Sequence, residues 1–482
     1  MALDSQQPRI YITRDTILQF VLLAICLILP LFLLTKIEIL PFIFIGAVVG
    51  ATLILKQPFI GLVFYLTIFY IRPQEFWFTG AVGVEKTFGI AMLILTILKL
   101  KLKDDFKIRL TNIHFAIVAY LSIALINVAT SFWISGSWNI WVNQFRLFIV
   151  FFCIIYLIDT EKQFKFFIMF TILGTLFHAA SAVIRYYQGI VHMEMGIERA
   201  FAMDTSYGDP NSLAATIIYT LPLIYYFLTQ KTSRAMKIFL GIAMMLLLWC
   251  TILTGSRTGM TGIIVFALLV IWERKNKIRN FIIIGAMLVI VAAVMPDQYQ
   301  QRFLSISNMD TSNDETGAAT SARSRFEFLK YGFEMMLQRP VFGYGMGNFG
   351  TVMATVYGQG WLQAHTLPGQ IMSEMGMTGI IAFGAWIIIL FLHLKRMRKY
   401  FTGSDNKFML NMTIAVKTGL ILMFFMGMGG HNLFRYNWYI FSAIIVLMMR
   451  PEISGYERPK AIDINSSNQT FNRDANNLVG SK

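Results

Sequence analysis

The chain has 482 residues, of which 56% are hydrophobic and only 14% charged, against roughly 45–50% and about 25% in ordinary soluble domains; this excludes a soluble globular protein. A formal net charge of +15 would suggest nucleic acid as a partner for a soluble chain. Here most basic residues sit in short loops between apolar runs, the pattern that orients a membrane protein, so nucleic acid is set aside.

Apolar stretches at 17–35, 38–55, 58–71, 88–100, 113–131, 141–158, 164–185, 211–228, 237–254, 260–272, 280–295, 371–394, 409–427 and 435–449 predict an all-α polytopic membrane protein. The stretches at 58–71, 88–100 and 260–272 are shorter than the ~20 residues that cross ~30 Å of hydrocarbon, so about 12–14 crossings are expected. Arg9 and Arg14 precede the first stretch as in a signal peptide. That stretch exceeds a cleavable apolar core of ~7–15 residues and no A-x-A site follows, so it is expected to stay as the first helix. Cys26, Cys153 and Cys250 all fall in apolar stretches, which suits core filling rather than a disulfide framework or a zinc site.

With the N-terminus inside, the segments 101–109, 161–165, 230–237, 273–279 and 395–407 share one side and together carry 18 Lys and Arg. That asymmetry sets the orientation. The expected organisation is a membrane region over 1–295, a large outer loop over 296–370, further membrane helices over 371–450 and a polar inner tail over 451–482, rich in Asn and Ser and disordered. No internal repeat of fixed period is present.

Two outer segments are long, 186–210 and 296–370. The second opens with a polar run, SISNMDTSNDETGAATSA, and continues with RSRFEFLKYGFEMMLQRP. Phe326, Leu329, Phe333, Met336 and Leu337 recur there at helical spacing, which predicts an amphipathic helix on the membrane face or over a cavity. Pro340 ends it, and FGYGMGNFG at 342–350 reads as a flexible turn.

The outer face keeps arginines beside apolar stretches: Arg72, Arg146, Arg185, Arg199, Arg257, Arg323, Arg325 and Arg339. An arginine at the membrane needs a partner or a route to water, and snorkelling to headgroups accounts for some. Arg257 lies in the Gly-rich hairpin LTGSRTGMTG, where it reads equally as an interfacial anchor or as a guanidinium fork for a phosphate at headgroup level. Asp209 and Pro210 read as the cap and first residue of a helix, leaving Arg199 and Asn211 unexplained. The acids and His192 of the same loop match no metal-site spacing, and no metal is expected. Arg146, inside an apolar stretch, should face a polar cavity.

His365 stands just before a helix entered through Pro368, and Glu374 about two turns further in. A lone histidine there is ordinarily an interfacial residue, yet it is the side chain that moves protons near neutral pH. Glu374 should pair with an outer arginine, since an unpaired carboxylate at that depth is costly. Together these residues suggest a pocket with arginines for an anion and a histidine for a proton. No Ser/His/Asp arrangement, P-loop or dinucleotide fingerprint appears, and GYGMGNFG lacks the preceding strand of a phosphate loop.

From about residue 58 to 430 the chain resembles the O-antigen ligase and polymerase superfamily of bacterial membrane glycosyltransferases. RAFAMDTSYGDPNSLA resembles its Pro-Asn-x-x-Ala segment, LTGSRTGMTGII its Ser-Arg hairpin, and RFEFLKYGFEMMLQRPVFGYGMGNF its periplasmic-loop helix with the Arg-Pro-x-x-Gly run. His365-Thr366, nine residues and then Gly376-Met-Thr-Gly379 resemble the ligase motif, with Thr366 where the family has Asn, Ser or Gln. KQPFIGLVFYLTIFYIRPQEFW resembles the exosortase-associated O-glycosylation ligase branch.

The resemblance implies a fold like that of the C-type membrane glycosyltransferases, in a bacterial inner membrane with both termini cytoplasmic. It also implies transfer of a glycan from undecaprenyl diphosphate to a hydroxyl acceptor such as lipid A core, a glycan or a protein, without a cofactor. Arg199, Arg257 and Arg146 would then hold the diphosphate and His365 would act as base, with Asn211, Glu374, Gly376 and Gly379 in support. A polymerase of the same superfamily is the nearest alternative. A lipid-linked oligosaccharide flippase should instead carry internal repeats and charges near the bilayer midplane.

Overall fold

The computed structural model describes residues 54, 56–72, 84–102, 110–194, 196–202, 208–273, 277–279, 281, 282, 285, 299, 300 and 318–456. The stretch expected at 17–35, nearly all of those at 38–55 and 280–295, the run at 305–317 and the tail beyond 456 lie outside these residues.

The described chain is helical apart from one short hairpin. In order it contains α1 (Pro58–Tyr70), α2 (Val84–Leu102), α3 (Asn112–Ala129), α4 (Ile134–Leu157), α5 (Glu161–Tyr187), β1 (His192–Glu194) and β2 (Ile197–Arg199). It continues with α6 (Pro210–Leu228), α7 (Arg234–Leu253), α8 (Arg257–Glu273), α9 (Ala318–Gln338), α10 (Phe349–Thr355), α11 (Leu367–Thr402), α12 (Lys407–Gly427), α13 (Asn437–Met448) and α14 (Pro451–Ser454). Among the described residues seven helices (α3–α7, α11 and α12) are long and apolar enough to cross a membrane, and α1 and α13 are shorter apolar helices. This is an all-α polytopic membrane protein. Most of the long apolar helices bury one strip of residues in the core and expose apolar side chains elsewhere, as Ile242 and Ile381 are, and lipid covers such surface where water would reject it; α13 is buried throughout.

Local chemistry fixes the ends. Asp209 caps α6, its carboxylate accepting from Ser212 N at 2.8 Å, with Pro210 next in the chain, as the sequence predicts. Thr160 and Gln163 make a reciprocal capping box at the start of α5. Charged pairs tie together the bundle end remote from the α9–α11 loop. Arg398 grips Glu273 with two hydrogen bonds of 3.0 and 2.7 Å and Lys417 joins it at 3.1 Å, while Asp159 takes Lys99 at 2.5 Å and Arg450 at 3.4 Å. Cys153 and Cys250 are buried free thiols.

The element that positions the site is a break in α11. Gly376 has φ 61° and ψ −154° inside that helix, a region open essentially to glycine alone. The break takes two carbonyls and two amides out of the helical ladder, and the segment after α9 replaces each of them. Ser373 O and Glu374 O accept from the amides of Tyr344 (2.8 Å) and Gly345 (2.9 Å), while Met377 N and Thr378 N donate to the carbonyls of Pro340 (2.8 Å) and Val341 (3.1 Å). The Gly-rich turn at 342–350 is therefore a stitched part of the bundle and not the flexible turn expected. Asn127 of α3 holds it further, accepting from Met346 N at 2.9 Å and donating to Glu374 O at 3.0 Å, and Ser137 of α4 donates to Met346 O at 2.9 Å.

The amphipathic helix exists as α9, but a different face is docked from the one its periodicity suggests. Phe328, Gly332 and Met335 are buried, whereas Phe326, Phe333 and Leu337 are exposed. Gly332 decides the rotation: a Cβ there would stand 2.7 Å from Gly369 O, so the glycine lets α9 lie directly on the start of α11. Counting apolar residues alone gives no weight to a glycine that sets the closest approach.

Candidate functional site

Two joined cavities open at the bundle end where α9 crosses α11. The smaller, about 380 Å³, is bordered by residues of β1, α6, α9 and α12 together with His365 and the chain on either side of α8's start. The larger, about 700 Å³, lies between α1, α4, α6 and the segment joining α12 to α13. They share five wall residues, Asp209, Ser212, Gln363, His431 and Arg435, and so form one chamber with a waist.

His365 borders the smaller lobe and has φ 47°. Only one other described residue besides glycine has a positive φ, Arg72 at 50°, and it borders the larger lobe. Both side chains of this chamber are therefore held by backbone in a sparsely populated region, which persists only where surrounding structure enforces it. For His365 the enforcing elements are buried Ala364 on one side and Thr366 on the other. Thr366 caps α11, its hydroxyl accepting from Gly369 N at 3.1 Å.

Desolvation by the surrounding protein, and then the Arg325 guanidinium, hold the His365 pKa below the ordinary histidine value, with Asp209 and Glu194 pulling the other way. The ring is thus neutral and able to accept a proton at neutral pH. Its neighbour His431 lies 5.8 Å away between ring centroids and edge-on. Burial, Arg435 and His365 push His431 down to about 4 against the pull of Asp209. Two neutral imidazoles therefore adjoin at the waist.

Arg146 borders the larger lobe, as expected of an arginine needing a polar cavity. It donates to Asn143 one turn earlier, and its Nε is buried with no hydrogen-bond partner. Arg199 is elsewhere. It is 1% exposed and its guanidinium is committed within the protein, donating to Thr254 O at 2.6 Å, to Asn211 Oδ1 at 2.9 Å and to Glu194. It fastens the β1–β2 hairpin to the start of α6 and the end of α7, and Asn211 is explained as one of its acceptors. Replacing Arg199 with alanine should cost about 3 kcal/mol, the scale of breaking a buried charged pair. The check is the thermal midpoint in detergent, which Arg199→Lys should restore only in part because one compact ammonium cannot reach the three acceptors that the guanidinium meets from three separate nitrogens. Arg257 opens α8, half-buried, between the wall residues Ser256 and Thr258, and its own side chain borders neither lobe.

Glu374 is buried, and its carboxylate faces the amides of Gly347 and Phe349 and the Gln370 side chain. The arginine partner expected for it is absent among the described residues; peptide N–H groups of the stitched turn take that place. Glu374, Gly376 and Gly379 thus hold the turn against α11, behind the chamber.

The residues that sequence reasoning passed over belong to the segment between α12 and α13, GGHNLFRYN. It is strongly anchored: Gln144 donates to Phe434 O (2.9 Å), Gln370 accepts from Leu433 N (3.1 Å), Asn432 donates to Tyr219 Oη (3.0 Å), and Arg435 donates to Ser212 Oγ. Four polar side chains in seven residues between two apolar helices was the available signal.

Residues 242–384 match the protein family described as O-antigen ligase. The match runs from within α7 to the broken part of α11 and includes His365 and the stitched turn, while Arg146, Asp209, His431 and Arg435 lie outside it. No curated protein matches the chain.

Proposed function

Because the chain belongs, through residues 242–384, to the O-antigen ligase superfamily, we propose that the chamber transfers a glycan from undecaprenyl diphosphate to a hydroxyl acceptor at the periplasmic face of a bacterial inner membrane. One observation carries this reading: a histidine kept neutral stands at the edge of a chamber walled by guanidinium groups.

Glycosyl transfer from a diphosphate carrier needs a base for the incoming hydroxyl and positive charge for the departing diphosphate. In the proposed step the acceptor oxygen bonds to the anomeric carbon and its proton passes to His365. The anomeric carbon–oxygen bond breaks with its electron pair on the diphosphate, which leaves with one more negative charge than it carried as an ester. Guanidinium forks match phosphate oxygens and stay charged at any working pH. Arg146 and Arg435, which both border the larger lobe, are the best-placed guanidiniums for this task; Arg199 and Arg257 act in this reading through the walls they support. The lipid bilayer is the third partner, since it delivers the donor.

The test is transfer by the purified full chain in proteoliposomes, supplied with a lipid-linked glycan and a glycan acceptor. Release of undecaprenyl diphosphate in step with acceptor glycosylation is expected; release without acceptor glycosylation contradicts the reading. The pH profile adds a second check. A base works only when deprotonated, so activity should be full at pH 7 and fall as pH drops through the lowered His365 pKa. Arg325→Gln removes a charge that depresses that pKa, and should move the acid limb of the profile to higher pH.

A further inference from the structure

The helix that crosses the start of α11 turns its most apolar face away from the protein. We propose that lipid of the leaflet at the chamber end of the bundle covers that face, which makes α9 a membrane-surface helix. This contact follows from the polytopic architecture, whatever reaction the chamber performs.

At 3.6 residues per turn, α9 presents three faces about a third of a turn apart. Phe328, Gly332 and Met335 form the docked face, which lies on the start of α11. Phe326, Leu329, Phe333, Met336 and Leu337 form the apolar face, where Phe326, Phe333 and Leu337 are exposed and the other two half-buried. Glu327, Glu334 and Gln338 form the polar face. Docking thus falls on the glycine side, and the protein leaves the large apolar side chains uncovered, which in water costs about 25 cal/mol per Å². An apolar face beside a polar one is what settles a helix in the surface of a bilayer. Lys330 stands at the seam between those two faces, 3.7 Å from Glu334, where its stem can lie along lipid with the ammonium among headgroups.

What the apolar face adjoins identifies lipid as its cover. Just past the end of α9, the carbonyls of Pro340 and Val341 accept from Met377 N and Thr378 N, immediately beyond the break in α11. Exposed Leu337 and Val341 therefore lead to exposed Met377 and Ile381, which begin the outward side of a membrane-spanning helix. On the other flank Tyr344 O accepts from Phe132 N at 2.8 Å, at the junction of α3 and α4. Phe132, Trp133 and Trp138 are exposed there, and exposed tryptophan at the end of a span settles at headgroup level. The lipid-facing surface of the spans thus continues onto α9. On its protein side the same helix carries Arg325 and Phe328, which border the smaller lobe, and the Phe328 ring lies 5.7 Å from that of His365. Lipid on one side of α9 therefore fixes the wall beside His365 on the other.

The test is nitroxide labelling of the full chain in nanodiscs of phosphatidylethanolamine and phosphatidylglycerol. Collision of each label with oxygen, which concentrates among acyl chains, is compared with collision with a water-soluble nickel chelate. Cys153 and Cys250 are buried, and the unsubstituted chain serves as the blank. Phe333→Cys and Leu337→Cys replace exposed side chains, so the fold should be kept. Their oxygen-to-nickel collision ratio should match that of Ile381→Cys on α11 and exceed that of Glu327→Cys, on the polar face of the same helix, by at least about fivefold. A ratio at 333 and 337 equal to that of Glu327→Cys places the face in water and overturns the proposal. Low collision with both reagents overturns it as well, since protein then covers the face. In that case spin–spin broadening that disappears on dilution with unlabelled chain identifies the cover as a second copy.

Discussion

His365→Ala should lower glycan transfer by about 10²–10⁴-fold, the range that a positioned proton acceptor contributes, while the purified variant keeps the wild-type thermal midpoint. The second half of that expectation follows from the fold. His365 borders the open chamber rather than the core, and the cap that starts α11 is made by Thr366 with Gly369, not by the imidazole. Its backbone at φ 47° is already strained, so a smaller side chain relieves nothing that holds α11 in place. The chemical half follows from protonation. An imidazole above its lowered pKa has a lone pair for the acceptor proton, and no described carboxylate of the smaller lobe has its position: Asp209 is engaged as the α6 cap and Glu194 accepts from Arg199. Initial rates over pH 5–8 check this. The residual rate of His365→Ala should lose the acid limb seen in the wild type. Retention of both rate and limb would move the base elsewhere, with His431 as the next imidazole at the waist.

Gly376→Ala should be the most damaging single change to the fold, at a cost of at least about 3 kcal/mol. A non-glycine residue at φ 61° and ψ −154° costs about 1–3 kcal/mol by itself. A Cβ there would also stand 2.8 Å from Gly343 N, Pro340 O and Val341 O, the very backbone that replaces the broken ladder of α11. Moving that backbone away exposes the four peptide groups it satisfies, and unsatisfied peptide groups in an apolar medium cost several kcal/mol each. Thermal unfolding in detergent and the yield of monodisperse protein measure the loss. Gly384, also in α11, has open space at its Cβ position, so Gly384→Ala is the control and should be neutral or slightly stabilising.

Most helices could be read from the sequence because each is a long apolar run, several of them opened by a capping side chain. The stretch expected at 211–228 is α6 at Pro210–Leu228, and the one at 409–427 is α12 at Lys407–Gly427. Hydropathy alone gives these, since lipid and core both select the same side chains. The break in α11 could not be read this way: Gly376 lies within a stretch that hydropathy gives as one helix, 371–394, and its conformation depends on a segment some thirty residues earlier folding against it. The β1–β2 hairpin was hidden for the same reason, as its main fastening is the buried Arg199 reaching Thr254 and Asn211. His365 was legible as one half of a spaced motif, and Arg146 as an intramembrane charge in need of a cavity. Arg435 and His431 were not, because a short polar link between two apolar helices reads as a turn until the helices on either side are brought together.

The proposed activity of the chamber is transfer of finished glycan from the lipid carrier to a separate acceptor. The most direct measurement is the surface-glycan profile and the lipid-linked intermediates of a strain lacking the chain, complemented by the wild type or by His365→Ala. Full-length glycan should accumulate on undecaprenyl diphosphate, with bare acceptor, in the deletion strain, and the wild type but not His365→Ala should reverse this. Acceptor that carries a single repeat unit would instead identify a polymerase, and an unchanged profile would contradict glycan transfer altogether.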